Sequence, residues 1–215
     1  MLLVCDTEVD PDAYGYLPRA LRALLPDHDH YHYPTRGGVP SLDGVDAVVV
    51  TGSTAGVYEA DARPWIEEAK TLVRRAVDRE VPTLGVCFGH QLVNDALGGH
   101  VEHRGLTARL VDADLADDPL FDGVEPTFPM VHGDHVTDLG DGMEPIASAD
   151  YYPFLATRHA EAPVWTTQYH PEFTGDLLPR IKRDFGWAGA RDFGDVTATR
   201  TVANFCRLAG VETDD

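Results

Sequence analysis

One cysteine in this chain stands where a thiol can serve as a nucleophile. In Thr83-Leu84-Gly85-Val86-Cys87-Phe88-Gly89-His90-Gln91-Leu92 an apolar run ends at Gly85-Val86 and a helical pattern begins near His90-Gln91. Cys87 therefore falls on a sharp turn between strand and helix. The pattern is a G-x-nucleophile-x-G elbow with sulfur in place of a serine hydroxyl, and Gly85 and Gly89 are needed because so tight a turn crowds any Cβ beside the nucleophile. Sulfur at a helix N-terminus is favoured as the thiolate, the attacking species. The plainer alternative is a cysteine buried in a glycine-rich turn.

A nucleophile of this kind needs a base, and the sequence offers one at another strand end. Val164-Trp165-Thr166-Thr167-Gln168-Tyr169 reads as a strand and is followed at once by His170-Pro171-Glu172-Phe173. Strand ends of an α/β sheet gather along one edge, so His170 can face Cys87 despite the sequence separation. Glu172 can then bond the distal imidazole nitrogen and fix its tautomer, with Pro171 stiffening the turn between them. Alone, His-Pro-Glu is more often a surface turn; paired with the elbow it completes a thiol acyl-transfer constellation.

The elements that must position these groups alternate. Leu2 to Cys5, His30 to Tyr33, Asp46 to Thr51 and Val81 to Val86 read as strands, and Tyr16 to Leu25, Trp65 to Val77 and Gln91 to Leu97 as helices, with Pro64 suited to a first helical turn. Alternation of this kind predicts an α/β fold: a mostly parallel central sheet with helices on both faces. After Gly98-Gly99 the pattern changes. Val101, Ala108 to Asp112, Pro145 to Ser148, Phe154 to Thr157 and Val164 to Tyr169 suggest short strands forming a small antiparallel addition, and Thr197 to Leu208 returns to helix. With no linker and no repeat, residues 1–215 are expected to form a single domain whose last part, 175–215, is a C-terminal helical extension. That extension carries Trp187 and Phe193, which either dock a partner or complete the core.

Gly85-Val86-Cys87-Phe88-Gly89-His90-Gln91 and His170-Pro171-Glu172 resemble the two signatures of the class I (triad) glutamine amidotransferases, a flavodoxin-like family. Within it the chain is most similar to stand-alone proteins related to the glutaminase domain of GMP synthase. The resemblance implies that Cys87 attacks the glutamine side-chain carbonyl to form a γ-glutamyl thioester. It implies too that His170 moves the protons and Glu172 orients it. The oxyanion donors it implies are the main-chain N–H of Phe88 and that of Ser53, in the turn Val50-Thr51-Gly52-Ser53-Thr54. Many members have Gly-Gly-Pro where this chain has Gly52-Ser53-Thr54. Substrate recognition falls by analogy on Gln91 and on Val131-His132-Gly133-Asp134, where Val131 replaces a serine. His132 is the rival base, but it lacks a carboxylate at the spacing Glu172 has.

Composition bounds the partners. The 215 residues are 43% hydrophobic and 25% charged, a soluble globular balance with ample core, and no stretch approaches a membrane span. The N-terminus reads as a buried strand and not a signal peptide, so a cytoplasmic location is expected. The formal net charge is −19, the acidic residues are dispersed, and Lys70 and Lys182 are the only lysines. This balance argues against nucleic-acid or anionic-membrane partners and resembles a surface adapted to high salt. Cys5 and Cys206 read as core thiols, and the wide spacing of the three cysteines gives neither a disulfide framework nor a CxxC metal pair. His28, His30 and His32 alternate and would share one strand face; a solvated edge strand is preferred there over a metal site. The remaining histidines show no ligand spacing, so no metal is expected.

No Walker-type loop, no dinucleotide fingerprint and no serine-glycine-rich pyrophosphatase loop is visible. No cofactor is expected, and activation of an ammonia acceptor is expected to fall to an ATP-dependent synthetase subunit in trans. Two alternatives remain: a free-standing γ-glutamyl peptidase or hydrolase using the same triad, and a non-enzymatic regulatory or binding module. The oligomeric state is left open.

Overall fold

The computed structural model describes residues 1–211. Its frame is set by three short strands without an exposed residue, β1 (Leu2–Asp6), β3 (Ala47–Val50) and β4 (Thr83–Val86), with β2 (His28–His32) between the first two in sequence. Burial on both faces explains why these strands are mostly apolar, with a polar residue only at an end (Asp6, Thr83) and no alternation. Leu3, Cys5, Val48 and Val50 pack to one side, against α4 (Trp65–Asp78) and α5 (Phe88–Ala96). Leu2, Val4, Ala47, Val49, Leu84 and Val86 pack to the other, with Leu21 of α2 (Tyr16–Arg22) and Val202 and Phe205 of α7 (Arg200–Leu208). Two further single-turn helices, α1 (Pro11–Tyr14) and α3 (Tyr33–Arg36), sit in the connections.

Why α4 forms is plain from its residues. Trp65, Ile66, Ala69, Leu72, Val73 and Ala76 are buried at three- and four-residue intervals, Glu67 and Glu68 lie in the first turn, and Arg75 lies in the last. The charges thus complement the helix dipole while one stripe meets the sheet. Pro64 takes the N-cap position, one residue before the first turn.

The second half adds β5 (His100–Asp112), β6 (Asp114–Leu115), β7 (Thr127–Asp138), β8 (Met143–Ala149), β9 (Tyr152–His159) and β10 (Val164–Thr167), then α6 (Leu178–Phe185) before α7. The main sheet has the order β2-β1-β3-β4-β10-β9-β8-β6, parallel from β2 through β10 and antiparallel beyond. β5 and β7 form a separate two-stranded antiparallel ribbon. This is the expected α/β architecture. It differs from the sequence expectation in the ribbon: β5 runs for 13 residues, and the 12-residue β7 lies where the pattern predicts no strand. Its register slips between His103 and Thr107, around Gly105 at φ +96°, so the ribbon is bulged there.

The aromatic residues after Phe173 pack on this chain itself. Ile181 is buried with Tyr16, Leu17 and Phe173, and Phe185, Trp187 and Phe193 cover them. Residues 212–215 of the C-terminal extension lie outside the described residues. β2 is an edge strand in which His30 Nε2 meets Asp6 at 3.0 Å and His32 Nε2 donates to the Glu8 carbonyl at 2.9 Å. Among the described residues, no three His, Cys, Asp or Glu side chains are grouped to hold a metal.

Candidate active site

Three neighbouring strands deliver the site. β3, β4 and β10 lie side by side, with Val50 opposite Gly85 and Thr167 opposite Val86, so Gly52, Cys87 and His170 all emerge from one end of the sheet. The Cys87 N–H donates to the Thr167 carbonyl at 2.7 Å, which ties the elbow to the strand that leads to His170.

Cys87 is forced into the turn. It has φ 53° and ψ −103°, one of only two non-glycine residues with positive φ among those described, and it stands at the N-cap of α5. Such a conformation costs on the order of 1–3 kcal/mol and persists only when its surroundings impose it. Here they do: a Cβ on Gly85 would lie 2.5 Å from the Gly89 carbonyl oxygen, and one on Gly89 would lie 2.5 Å from that of Val50. Both glycines are therefore there to let strand, elbow and helix close on one another, as the sequence pattern requires.

His170 and Glu172 are both buried, at 3% exposure each. His170 Nδ1 donates to Glu172 Oε1 at 2.8 Å, and Nε2 donates to the Val131 carbonyl at 3.1 Å. The Cys87 Sγ lies 3.7 Å from that same carbonyl oxygen, so one main-chain oxygen of β7 gathers thiol and imidazole. Both ring nitrogens face acceptors, an arrangement that suits the doubly protonated ring. Burial opposes that charge, but the Glu172 carboxylate and the adjacent Cys87 outweigh it and hold His170 well above the ordinary histidine range. Phe173 stacks on the ring at 4.1 Å, and the His170 main-chain N–H donates to the Pro129 carbonyl, so both the ring face and its backbone are held.

His132 is the contrasting case. It is equally buried, but Nε2 meets the Tyr151 hydroxyl at 2.9 Å and Nδ1 the Asp134 carbonyl at 3.0 Å, with no carboxylate on either nitrogen. Burial pushes it down to about 3, and His135 and His170 add to that push. The other two cysteines are inert core groups: burial, reinforced by Asp6, raises the Cys5 thiol, and burial pushes Cys206 up to about 11.

A cavity of about 280 Å³ opens over Cys87, lined by Ser53, Gln91, Val131, His132, Gly133 and Asp134, all singled out in the sequence. Phe88, also singled out, begins α5, and its ring is buried beside Trp65. Gln91 Nε2 is spent on the Asp134 carbonyl and Gln168 Oε1, both at 3.2 Å. The Ser53 hydroxyl donates to the Thr7 carbonyl at 2.7 Å and accepts from the Ala55 N–H, so any oxyanion donor at this residue is its main-chain N–H. The structure adds Tyr58, Glu59, His103, Leu106 and Phe185 to the lining, residues to which the sequence assigns no site role, and sets Gly52 behind it. A Cβ on Gly52 would stand 3.4 Å from His170 Cε1 and 3.5 Å from Cys87 Cβ. None of these additions has a local sequence signal except Gly52, which lies in the turn already identified.

The glutamine amidotransferase class-I family matches residues 21–187. The chain is 35% identical over 173 residues to a GMP synthase [glutamine-hydrolyzing] of Thermotoga maritima; the match covers 78% of this chain but 29% of that protein. The chain thus spans under a third of the length of the curated relative it matches. Among solved structures it is similar to a glutamine amidotransferase from Thermotoga maritima (TM-score 0.75, 17% identity, 97% of this chain and 98% of that one). It is also similar to a glutamine amido transferase from Methylobacillus flagellatus (TM-score 0.73, 16% identity, 100% and 96%).

Proposed function

The chain belongs to the class-I glutamine amidotransferase family, and from that premise we propose that it releases ammonia from glutamine through Cys87, His170 and Glu172. The observation that carries this reading is the meeting of Cys87 and His170 on the Val131 carbonyl, with Glu172 behind the imidazole. Cys87 attacks the side-chain carbonyl as the thiolate, its proton resting on His170, whose charged form Glu172 favours. The tetrahedral oxyanion is met by main-chain N–H groups of Phe88 and Ser53. His170 then protonates the departing nitrogen, ammonia leaves, and a γ-glutamyl thioester remains. The now neutral imidazole takes a proton from water, hydroxide attacks the thioester, and glutamate and the free thiol are formed. Gln91 and the segment Val131-His132-Gly133-Asp134 hold the amino-acid end of the substrate.

The whole reading takes residues 1–215 as one glutaminase domain, working in the cytoplasm, that hands ammonia to an ATP-dependent synthetase in trans. Its similarity to GMP synthase supports that partner class. A second reading, hydrolysis of γ-glutamyl peptides, is favoured by the Gly52-Ser53-Thr54 turn, which departs from the family's usual Gly-Gly-Pro. The net charge of −19, dispersed and with two lysines, supports adaptation to high salt. No helix among the described residues is long and apolar enough to cross a membrane.

The deciding experiment supplies the purified protein, in high salt, with glutamine and then with γ-glutamyl dipeptides, and measures ammonia and glutamate. Turnover is expected to vanish in Cys87→Ala and Cys87→Ser. Brisk dipeptide cleavage with none of glutamine would replace the amidotransferase reading by the hydrolase one, and activity surviving without the thiol would end both. The same preparation taken to low salt is expected to unfold; full stability there removes the high-salt reading.

A further inference from the structure

The turn Gly52-Ser53-Thr54 has no proline to stiffen it, yet it is held hard from below. Thr7 and Glu8 leave the end of β1 fully buried, at 0% and 1% exposure. The Thr7 hydroxyl lies 3.0 Å from the Thr51 carbonyl and 3.1 Å from that of Gly52, and the Thr7 carbonyl accepts the Ser53 hydroxyl. Glu8 is the stronger tie. Its Oε2 accepts the Thr54 N–H at 3.0 Å, and its Oε1 accepts the Thr54 hydroxyl at 2.7 Å and the Asp10 N–H at 2.8 Å. Hydrogen bonds to a carboxylate are roughly twice as strong as neutral ones.

We infer that Glu8 is a positioning residue for the reaction proposed above, on which this inference rests. Its carboxylate fixes the turn so that the main-chain N–H at Ser53 is aimed at the developing oxyanion. On its other side the turn faces Cys87 and His170, near enough that a Cβ on Gly52 would touch both. A turn released from Glu8 therefore moves its donor relative to the thiol. Oxyanion stabilisation depends on donors placed to within a few tenths of an ångström before the charge appears, so release slows the step that makes that charge. Thr54 supplies an N–H here, and an N–H is what a proline lacks. The glutamate thus does in this chain, by hydrogen bonding, what ring rigidity does elsewhere.

The test compares wild type with Glu8→Ala, Glu8→Gln and Thr54→Val in two reactions of the same thiol. Acylation by γ-glutamyl p-nitroanilide, read as nitroaniline release, passes through an oxyanion; alkylation by iodoacetamide does not. Glu8→Ala is expected to lower the kcat of acylation roughly 10- to 100-fold, with KM and the alkylation rate changed by less than about twofold. Glu8→Gln keeps one acceptor oxygen and is expected to recover to within about tenfold of wild type, and Thr54→Val, losing only the hydroxyl bond, to slow acylation about threefold. Thr54 is exposed, so that variant decides the matter if Glu8→Ala does not fold. Unchanged acylation in folded Glu8→Ala, or in Thr54→Val where that variant stands alone, overturns the inference. So does a parallel fall in alkylation, which would mean that the elbow itself is damaged. A wild-type protein that alkylates but releases no nitroaniline refutes the amidase reading itself, a different result from either.

Discussion

Two histidines, both buried and both beside the cavity over Cys87, are driven in opposite directions. His170 follows β10 and faces a carboxylate on one nitrogen; His132 lies on β7 and faces a tyrosine hydroxyl and a carbonyl. Burial disfavours charge in both. Only the one with Glu172 behind it, and Cys87 in front, overcomes that cost. Proximity to Cys87 therefore does not decide whether a histidine is charged; a fixed negative partner does.

The sharpest way to break this contrast is to remove each ring. His170→Gln is expected to slow acylation of Cys87 by about 10³–10⁴-fold, and His132→Gln by less than about tenfold, with any larger change in KM. Comparable losses in the two variants would mean that the contrast is irrelevant to the chemistry.

A smaller effect follows from the partner alone. Because His170 is raised in the folded state, its stabilising contribution is fully present below about pH 6.5, the unfolded value, and is lost as pH rises through the folded value. Glu172→Gln is expected to flatten the decline of stability on the alkaline side, seen as denaturant midpoints that no longer fall with pH. A decline as steep as wild type would show that Glu172 does not hold the charge.

The smallest effect lies on the acid side and has the opposite sign. His132 is depressed to about 3, so its neutral form contributes stability above about pH 6.5 that is lost as pH falls toward 3. His90 titrates alongside it, held at about 3 by burial and by His132 and His135. The half-buried His135 is lowered by burial too, so His132→Gln is expected to remove one of three contributions and make the midpoint less sensitive between pH 6 and about pH 4. An unchanged acid slope would put His132 outside the linkage.

The parts of this molecule that were legible in its sequence are those whose signal is local. β1, β3 and β4 are buried on both faces and read as mostly apolar runs; α4 carries its stripe and its charges in order. The elbow and the His-Pro-Glu turn are likewise short segments whose residue types follow from their own backbone. β7 was hidden because its composition answers to the cavity and to neighbouring aromatics as much as to the core. Pro129, Gly133, Asp134 and two histidines interrupt what is nevertheless 12 residues of strand. The Val131 carbonyl is a main-chain atom and carries no residue signature, so its part in gathering Cys87 and His170 could only be seen in three dimensions. The Glu8–Thr54 contact joins positions 46 apart, with nothing between them to announce it.

The φ of 53° at Cys87 places the proposed nucleophile on a backbone that glycine would occupy at ease. The relaxed version of the molecule is therefore a disarmed one. Drift toward stability at this single position leads away from chemistry, and only continued use of the thiol holds the chain in the tenser form.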